Sequence, residues 1–271
     1  MRAMKIDEAK TKRYRTVWVS DVHLGSKGCQ AESLLKFLRS VECETLYLVG
    51  DIIDIWSLQR SVYWPQSHND VLRTILGKAK HDTRVVYVPG NHDEMIRGYV
   101  GNQFGNLEII REALHTTADG KRLLVMHGDE FDSVVQCSRL LSMMGSLAYE
   151  WLLLFNRVVN SVRKVFGRPY WSLAGYLKHK VKNAVQFIGH YEDTLVKTAV
   201  HRQADGVVCG HIHRAALQKM QGMIYANTGD WVESCSALVE HQDGQLELLE
   251  HLSTLGLATV EDDPQRMARA A

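Results

Sequence analysis

The sequence predicts a layered α/β fold interrupted by a helical insertion. Two observations predict it. Short apolar runs alternate with helical patterns from Thr16 to Asn91, and residues 134–203 keep helical spacing over most of their length. The 271 residues are 45% hydrophobic and 23% charged, enough for one large core and too apolar for a disordered chain.

Thr16-Val-Trp-Val-Ser20 is a short apolar run ending in Asp21 and reads as a buried strand. Ala31 to Ser40 places Leu34, Leu35 and Leu38 on one helical face. Thr45 to Val49 is a second strand, closed by Gly50-Asp51. Asn69 to Lys80 is a helix with Val71, Leu72, Ile75 and Leu76 on one face. Arg84 to Val88 is a third strand, closed by Pro89-Gly90-Asn91. Arg122 to Met126 and Gly206 to Cys209 are later strands, each followed by a polar loop. Met223 to Ala226, Ser234 to Glu240 and Leu246 to Leu249 complete the set, with Asp243-Gly244 as a hairpin turn. The expected division is a core of residues 1–133 and 204–254, a helical insertion or lid at 134–203, and a mobile tail at 255–271.

A formal net charge of +1 gives no global attraction to nucleic acid or membrane and argues against a dedicated nucleic-acid enzyme. The cysteines Cys29, Cys43, Cys137, Cys209 and Cys235 are odd in number and form no CxxC pair, which suits free thiols in a reducing cytosol. Met1 to Arg15 lacks an apolar leader, and no apolar stretch is long enough to span a bilayer. The expectation is a cytoplasmic protein, with peripheral contact at the inner membrane surface left open.

Five short motifs fall at predicted strand ends: Asp21-Val-His23, Gly50-Asp51-Ile-Ile-Asp54, Gly90-Asn91-His92-Asp93, His127-Gly128-Asp129 and Gly210-His211-Ile-His213. Loops at the carboxyl ends of strands in a layered α/β fold can converge on one patch. Carboxylate and amide oxygens suit Mn²⁺ or Mg²⁺, and imidazoles suit Mn²⁺, Fe, Zn²⁺ or Ni²⁺. Asp21 and His23 are two residues apart, so in extended backbone they would grip one ion from the same side, and His211 with His213 would repeat the device. Each motif alone is a weak signal; five in series after apolar strands are not. Two cations roughly 3.5–4 Å apart would activate water and neutralise phosphoryl charge, and a shared carboxylate is needed to hold them. Asp51 is placed to be that carboxylate. Asp54 is read either as an outer support or as the cap of a following turn.

In these motifs the chain resembles the calcineurin-like metallophosphoesterase superfamily, from Val17 to about Val239. The resemblance implies a four-layer α/β-β/α sandwich and a binuclear site. Asp21, His23, Asp51 and His213 would hold one metal, and Asp51, Asn91, His127 and His211 the other. A solvent-derived hydroxide would attack phosphorus, His92 would contact the phosphate or assist the leaving group, and Asp93 would orient His92. Within the superfamily the chain is similar to the UDP-2,3-diacylglucosamine diphosphatase group. Gly50-Asp-Ile-Ile-Asp-Ile-Trp56, Met126-His-Gly-Asp129, the insertion after it, and Gly210-His-Ile-His-Arg214 carry that likeness. Members use Mn²⁺ and cleave a nucleotide-sugar pyrophosphate in lipid A synthesis. His92 departs from the Arg typical of that group, which keeps a paralogue with another substrate open.

Residues 139–182 carry Arg139, Arg157, Arg163, Lys164, Arg168, Lys178, Lys180 and Lys182 against Glu150, amid many Leu, Val, Met and aromatic residues. That composition suits an acyl-chain groove or interfacial helix beside anionic phosphate, or equally a stripe packed on the core or on a second subunit of a homodimer. Arg157 and Lys164 are the candidate substrate contacts there; Arg97 and Trp56 are the candidates in the core. Partners are therefore a lipid-linked nucleotide sugar or another phosphate-containing small molecule, the alternative being soluble nucleotides. His68, His81 and His115 lack metal-like context and read as ordinary.

Overall fold

A computed structural model of the chain describes residues 11–134, 188–250 and 252. Strands β1 (Lys12–Val19), β2 (Val41–Val49) and β3 (Arg84–Val88) lie side by side and parallel, each β-strand pair connected through helix: α1 (Ala31–Ser40), then α2 (Ile55–Arg60) and α3 (Gln66–Lys80). β4 (Gln103–Phe104) and β5 (Leu107–Ile109) extend one edge. β11 (Ala237–Glu240) and β12 (Leu246–Leu249) extend the other, giving a seven-stranded sheet in the order β12-β11-β1-β2-β3-β5-β4. A second sheet runs β6-β7-β8-β10-β9, from β6 (Ala113–Thr116), β7 (Arg122–Val125), β8 (Gly206–Cys209), β9 (Ala216–Met220) and β10 (Met223–Asn227).

Both faces of the central strands are buried, which is why their sequences are continuous apolar runs. Val17, Val19, Leu46, Leu48, Val85 and Tyr87 face one way, into a core with Leu34, Phe37 and Leu38 of α1 and Val71 and Ile75 of α3. Trp18, Tyr47, Val49, Val86 and Val88 face the other way and meet Leu123, Val125, Val208 and Ala226 of the second sheet. The fold is thus two sheets packed face to face, with helices outside the first.

The strand and helix expectations hold with small changes of length: β1 and β2 begin earlier, and α3 begins at Gln66. On α3 the buried stripe is His68, Val71, Ile75 and Ala79; Leu76, expected on it, is 58% exposed. The Asp243-Gly244 hairpin forms, with Gly244 at φ +87 and its amide donating to His241 O. The short α2, β4, β5, β6 and β9 were not legible as separate elements. Residues 188–201 are helical, within the expected second helical segment; the expected lid from residue 135 to 187 lies outside the described residues, as does the whole expected tail. By internal contact the chain forms two compact units, residues 1–129 with 196–271, and residues 130–195.

Candidate metal centre

β1, β2 and β3 end at Asp21, Asp51 and Asn91, and β7 and β8 end before His127 and His211. Because β1, β2 and β3 run parallel to one another, as β7 does to β8, each motif emerges at the carboxyl end of a strand, and the motifs meet there. Three groups there could each hold an ion: Asp21, His23 and His213; Asp51, His127 and His211; and, sharing His23 with the first, His23, Asp54 and His92. In the first group His213 Nε2 lies 3.3 Å from both Asp21 Oδ1 and His23 Nε2. Asp51 reaches the first two groups, with Oδ1 3.6 Å from His127 Nε2 and Oδ2 3.9 Å from His23 Nε2.

The backbone that achieves this is not extended. Asp21, His23, Asp51, His211 and His213 all have φ between +50 and +71, in the left-handed region. Asp21 and His23 fall in one candidate group, through two consecutive tight bends rather than a strand. His211 and His213 fall in different candidate groups, as the family resemblance implies and unlike a shared grip on one ion. Non-glycine residues in this region cost of order 1–3 kcal/mol each and persist where the surroundings over-determine them. Here the Asp21 amide donates to Gly50 O and the His23 amide to Asp51 O. Two glycines make the close approach possible. A side chain at Gly50 (φ +78) would enter the His127 ring, and one at Gly90 would strike Asp51 Oδ1 and His127 Nε2.

Outer contacts fix the ligand atoms. His127 Nδ1 donates to Val49 O at 2.8 Å, which turns Nε2 inward. Ser20 Oγ and the His211 amide donate to Asp21 Oδ2 at 2.5 and 2.9 Å, leaving Oδ1 to the site. Asp21 Oδ1, Asn91 Oδ1 and His127 Nε2 are buried without a hydrogen-bond partner. Buried polar atoms are rarely left so, and a cation answers all three; the residues present fit a divalent pair. The carboxylates and imidazoles of the site also hold one another's charge. Burial opposes ionisation of Asp21, but His213 outweighs it and holds the carboxyl down at about 2. Asp51 is held low in the same way, chiefly by His127. Burial works against the His127 cation, yet the Asp51 carboxylate prevails and pushes it up to about 10.

His92 sits beside the shared carboxylate, Nε2 3.9 Å from Asp51 Oδ2. Its orienting partner is Asp54, not Asp93: Nδ1 donates to Asp54 Oδ1 at 2.9 Å. Asp54 settles both readings made of it. It caps α2, accepting from Ser57 N at 2.9 Å and Ser57 Oγ at 2.8 Å, and it also reaches His23 Nδ1 at 3.4 Å. Burial opposes its charge, but His23 and His92 keep it ionised. Asp93 turns the other way, because Tyr87 O–H and the amides of Ile52 and Gly90 claim its carboxylate. Trp56, one residue into α2, lies over His92 with ring centroids 4.3 Å apart. Arg97 pairs with Asp129 at 2.5 Å, just after the His127 motif. Arg157 and Lys164 lie outside the described residues. His68 and His115 are structural: His68 Nδ1 accepts from Gly25 N, and His115 bonds Glu240.

Asp230 was missed from the sequence. It is buried, lies 3.9 Å from His213 Nδ1, and is anchored by the amides of Val232 and Glu233 at 2.7 and 2.5 Å. The signal was available, since a Gly-Asp pair, Gly229-Asp230, lies one residue past β10, much as Gly50-Asp51 follows β2.

A family profile described as Calcineurin-like phosphoesterase matches residues 14–215. The chain belongs to this family. It is a phosphoesterase, a hydrolase of phosphoester bonds, with the family's binuclear centre. Among relatives, UDP-2,3-diacylglucosamine hydrolase of Neisseria gonorrhoeae is 25% identical over 228 residues, 79% of this chain and 88% of that protein. The enzyme of the same name from Azotobacter vinelandii is 24% identical, over 76% and 84%. The DNA polymerase II small subunit of Methanothermobacter thermautotrophicus is 23% identical over 82% of this phosphoesterase, which spans 48% of that protein. Among solved structures, a hypothetical protein from Pyrococcus horikoshii matches with a TM-score of 0.47 at 8% identity, over 88% of this chain and 87% of that one.

Proposed function

We propose that this phosphoesterase hydrolyses the pyrophosphate bond of a lipid-linked nucleotide sugar of the UDP-2,3-diacylglucosamine type, releasing UMP and a lipid-bearing sugar 1-phosphate. The observation that carries the hydrolytic chemistry is the pair of ligand groups joined by Asp51, with Asp21 Oδ1, Asn91 Oδ1 and His127 Nε2 buried there without a hydrogen-bond partner. Asp21, His23, Asp51 and His213 are assigned to one ion, and Asp51, Asn91, His127 and His211 to the other, with Mn²⁺ as the working metal. The chemistry that such an ion pair supplies is a water of lowered pKa and neutralisation of phosphoryl oxygens.

The side chains do the rest. Asp54 holds Nδ1–H of His92, so that a proton on Nε2 is directed to the leaving oxygen. Trp56 limits rotation of the His92 ring and covers its face. Relatives named for UDP-2,3-diacylglucosamine support the substrate, as does the basic and apolar composition of residues 139–182, for which we assign a lid role and contacts from Arg157 and Lys164. Arg97 is assigned to the rim, anchored by Asp129. Peripheral residence at the cytoplasmic side of the membrane follows from such a substrate; among the described residues no helix is long and apolar enough to cross one.

His92 in the place of an Arg favours a second reading, a phosphodiesterase for soluble phosphoesters. One assay separates the two. Purified protein with Mn²⁺ and UDP-2,3-diacylglucosamine is expected to release UMP, and His92→Ala to reduce that rate by about 10²–10⁴-fold, the scale of general acid catalysis. Cleavage of a chromogenic phosphodiester without UMP release would retire the lipid substrate.

A further inference from the structure

The loops after β2 and β3 are stitched together in both directions. Asp51 Oδ1 accepts from the His92 amide at 2.7 Å, while Asp93 Oδ2 accepts from the Ile52 amide at 2.9 Å. Each acid therefore binds the backbone beside the other acid. Asp93 Oδ1 also takes the Gly90 amide at 2.6 Å, which holds the turn that presents Asn91. The remaining contact is Tyr87, whose O–H donates to Asp93 Oδ2 at 2.6 Å from within β3. Tyr87 is 7% exposed and Asp93 is fully buried.

We propose that Tyr87, acting through Asp93, is a positioning residue for the shared ligand Asp51 and for the spacing between the two ion sites. The inference rests on the reading of Asp51 as that ligand. Three features carry it. Asp51 sits at φ +54, a conformation that needs support from outside the residue. The Ile52 amide, immediately after it, is held by the oxygen that Tyr87 fixes. Tyr87 also occupies a strand position, in register with Leu48 of β2, so its hydroxyl is placed by the sheet rather than by a loop. Without the hydroxyl, Asp93 Oδ2 loses its anchor to β3, and the peptide after Asp51 is free to relax.

The test is a calorimetric titration of Mn²⁺ alone into wild type, Tyr87→Phe and Asp93→Asn. Tyr87→Phe keeps the buried ring and removes one oxygen. Its Mn²⁺ affinity is expected to fall by about 10–100-fold, as for other residues that orient metal ligands, with Asp93→Asn falling at least as far. A thermal melt of each variant reports folding separately. Unchanged affinity and stoichiometry in Tyr87→Phe would overturn the proposal, whatever its melting temperature. Failure of the wild type itself to bind Mn²⁺ would instead overturn the metal-centre reading. If Tyr87→Phe does not fold, Tyr87→Leu and Tyr87→Met, which likewise lack the hydroxyl, are titrated in its stead; affinity equal to wild type in either would also overturn it.

Discussion

At the residue scale, one side chain illustrates how a site stores more than its motif displays. Asp54 makes a helix cap and also orients His92, so its two roles overlap on the same two oxygens. They can be pulled apart, because Asn caps a helix about as well as Asp. Asp54→Asn is expected to leave the urea midpoint almost unchanged and to lower kcat by about 10–100-fold, through loss of the charged acceptor behind His92. Equal kcat in the variant would leave Asp54 as a cap only. The same overlap explains why the sequence left the role of Asp54 open. A GDxxD spacing states that a carboxylate lies one turn beyond the shared ligand, but only the approach of β3 brings His92 against it.

At the scale of elements, two glycines with unlike surroundings predict opposite outcomes. Gly90 ends β3, where an added methyl would collide with Asp51 Oδ1 and His127 Nε2. Gly77 lies within α3 with no atom near enough to meet such a methyl. Gly90→Ala is expected to keep native circular dichroism but to weaken Mn²⁺ binding at least about tenfold, as displacement of metal-orienting groups does. Gly77→Ala is expected to raise stability by about 0.5–1 kcal/mol, the helix preference of Ala over Gly, and to leave metal binding alone. Denaturant melts and metal titrations on both variants check the pair, and metal binding lost in Gly77→Ala would contradict it. Elements with two buried faces or a regular stripe, such as β1, β2, β3, α1 and α3, were legible because burial writes periodicity into sequence. α2 has no buried residue and β9 has none either, so neither left such a trace.

At the scale of the whole molecule, the two sheets are joined by a buried carboxylate away from the metal centre. Glu240 of β11 accepts from Thr16 Oγ1 of β1 at 2.8 Å, from Arg15 Nη1 at 2.6 Å, from the Ala118 amide at 2.7 Å and from His115 of β6 at 2.8 Å. Burial opposes its charge, but His115 and the other donors outweigh it and hold the carboxyl at about 2, against an ordinary 4.5. A depressed folded pKa means that the unfolded chain takes up the proton first as pH falls. The stabilisation is therefore complete above about pH 4.5 and is lost as pH drops toward about 2. Urea midpoints from pH 7 to 3 are expected to fall more steeply for wild type than for Glu240→Gln, which starts less stable at pH 7. Parallel profiles would remove Glu240 from the acid sensitivity of the fold.

The order of the longer strands and helices and the five motifs were determined by sequence alone, because each depends on residues close together along the chain; the seven candidate ligands came from the family likeness of those motifs. The tertiary structure decided the rest. It exchanged Asp93 for Asp54 behind His92, brought Asp230 to His213, and tied Tyr87 to the loop of Asp51. The physical reason is that ligand direction follows from left-handed backbone at single residues and from hydrogen bonds between loops some 40 residues apart, as in Ile52 to Asp93. Neither leaves a periodic mark on the sequence.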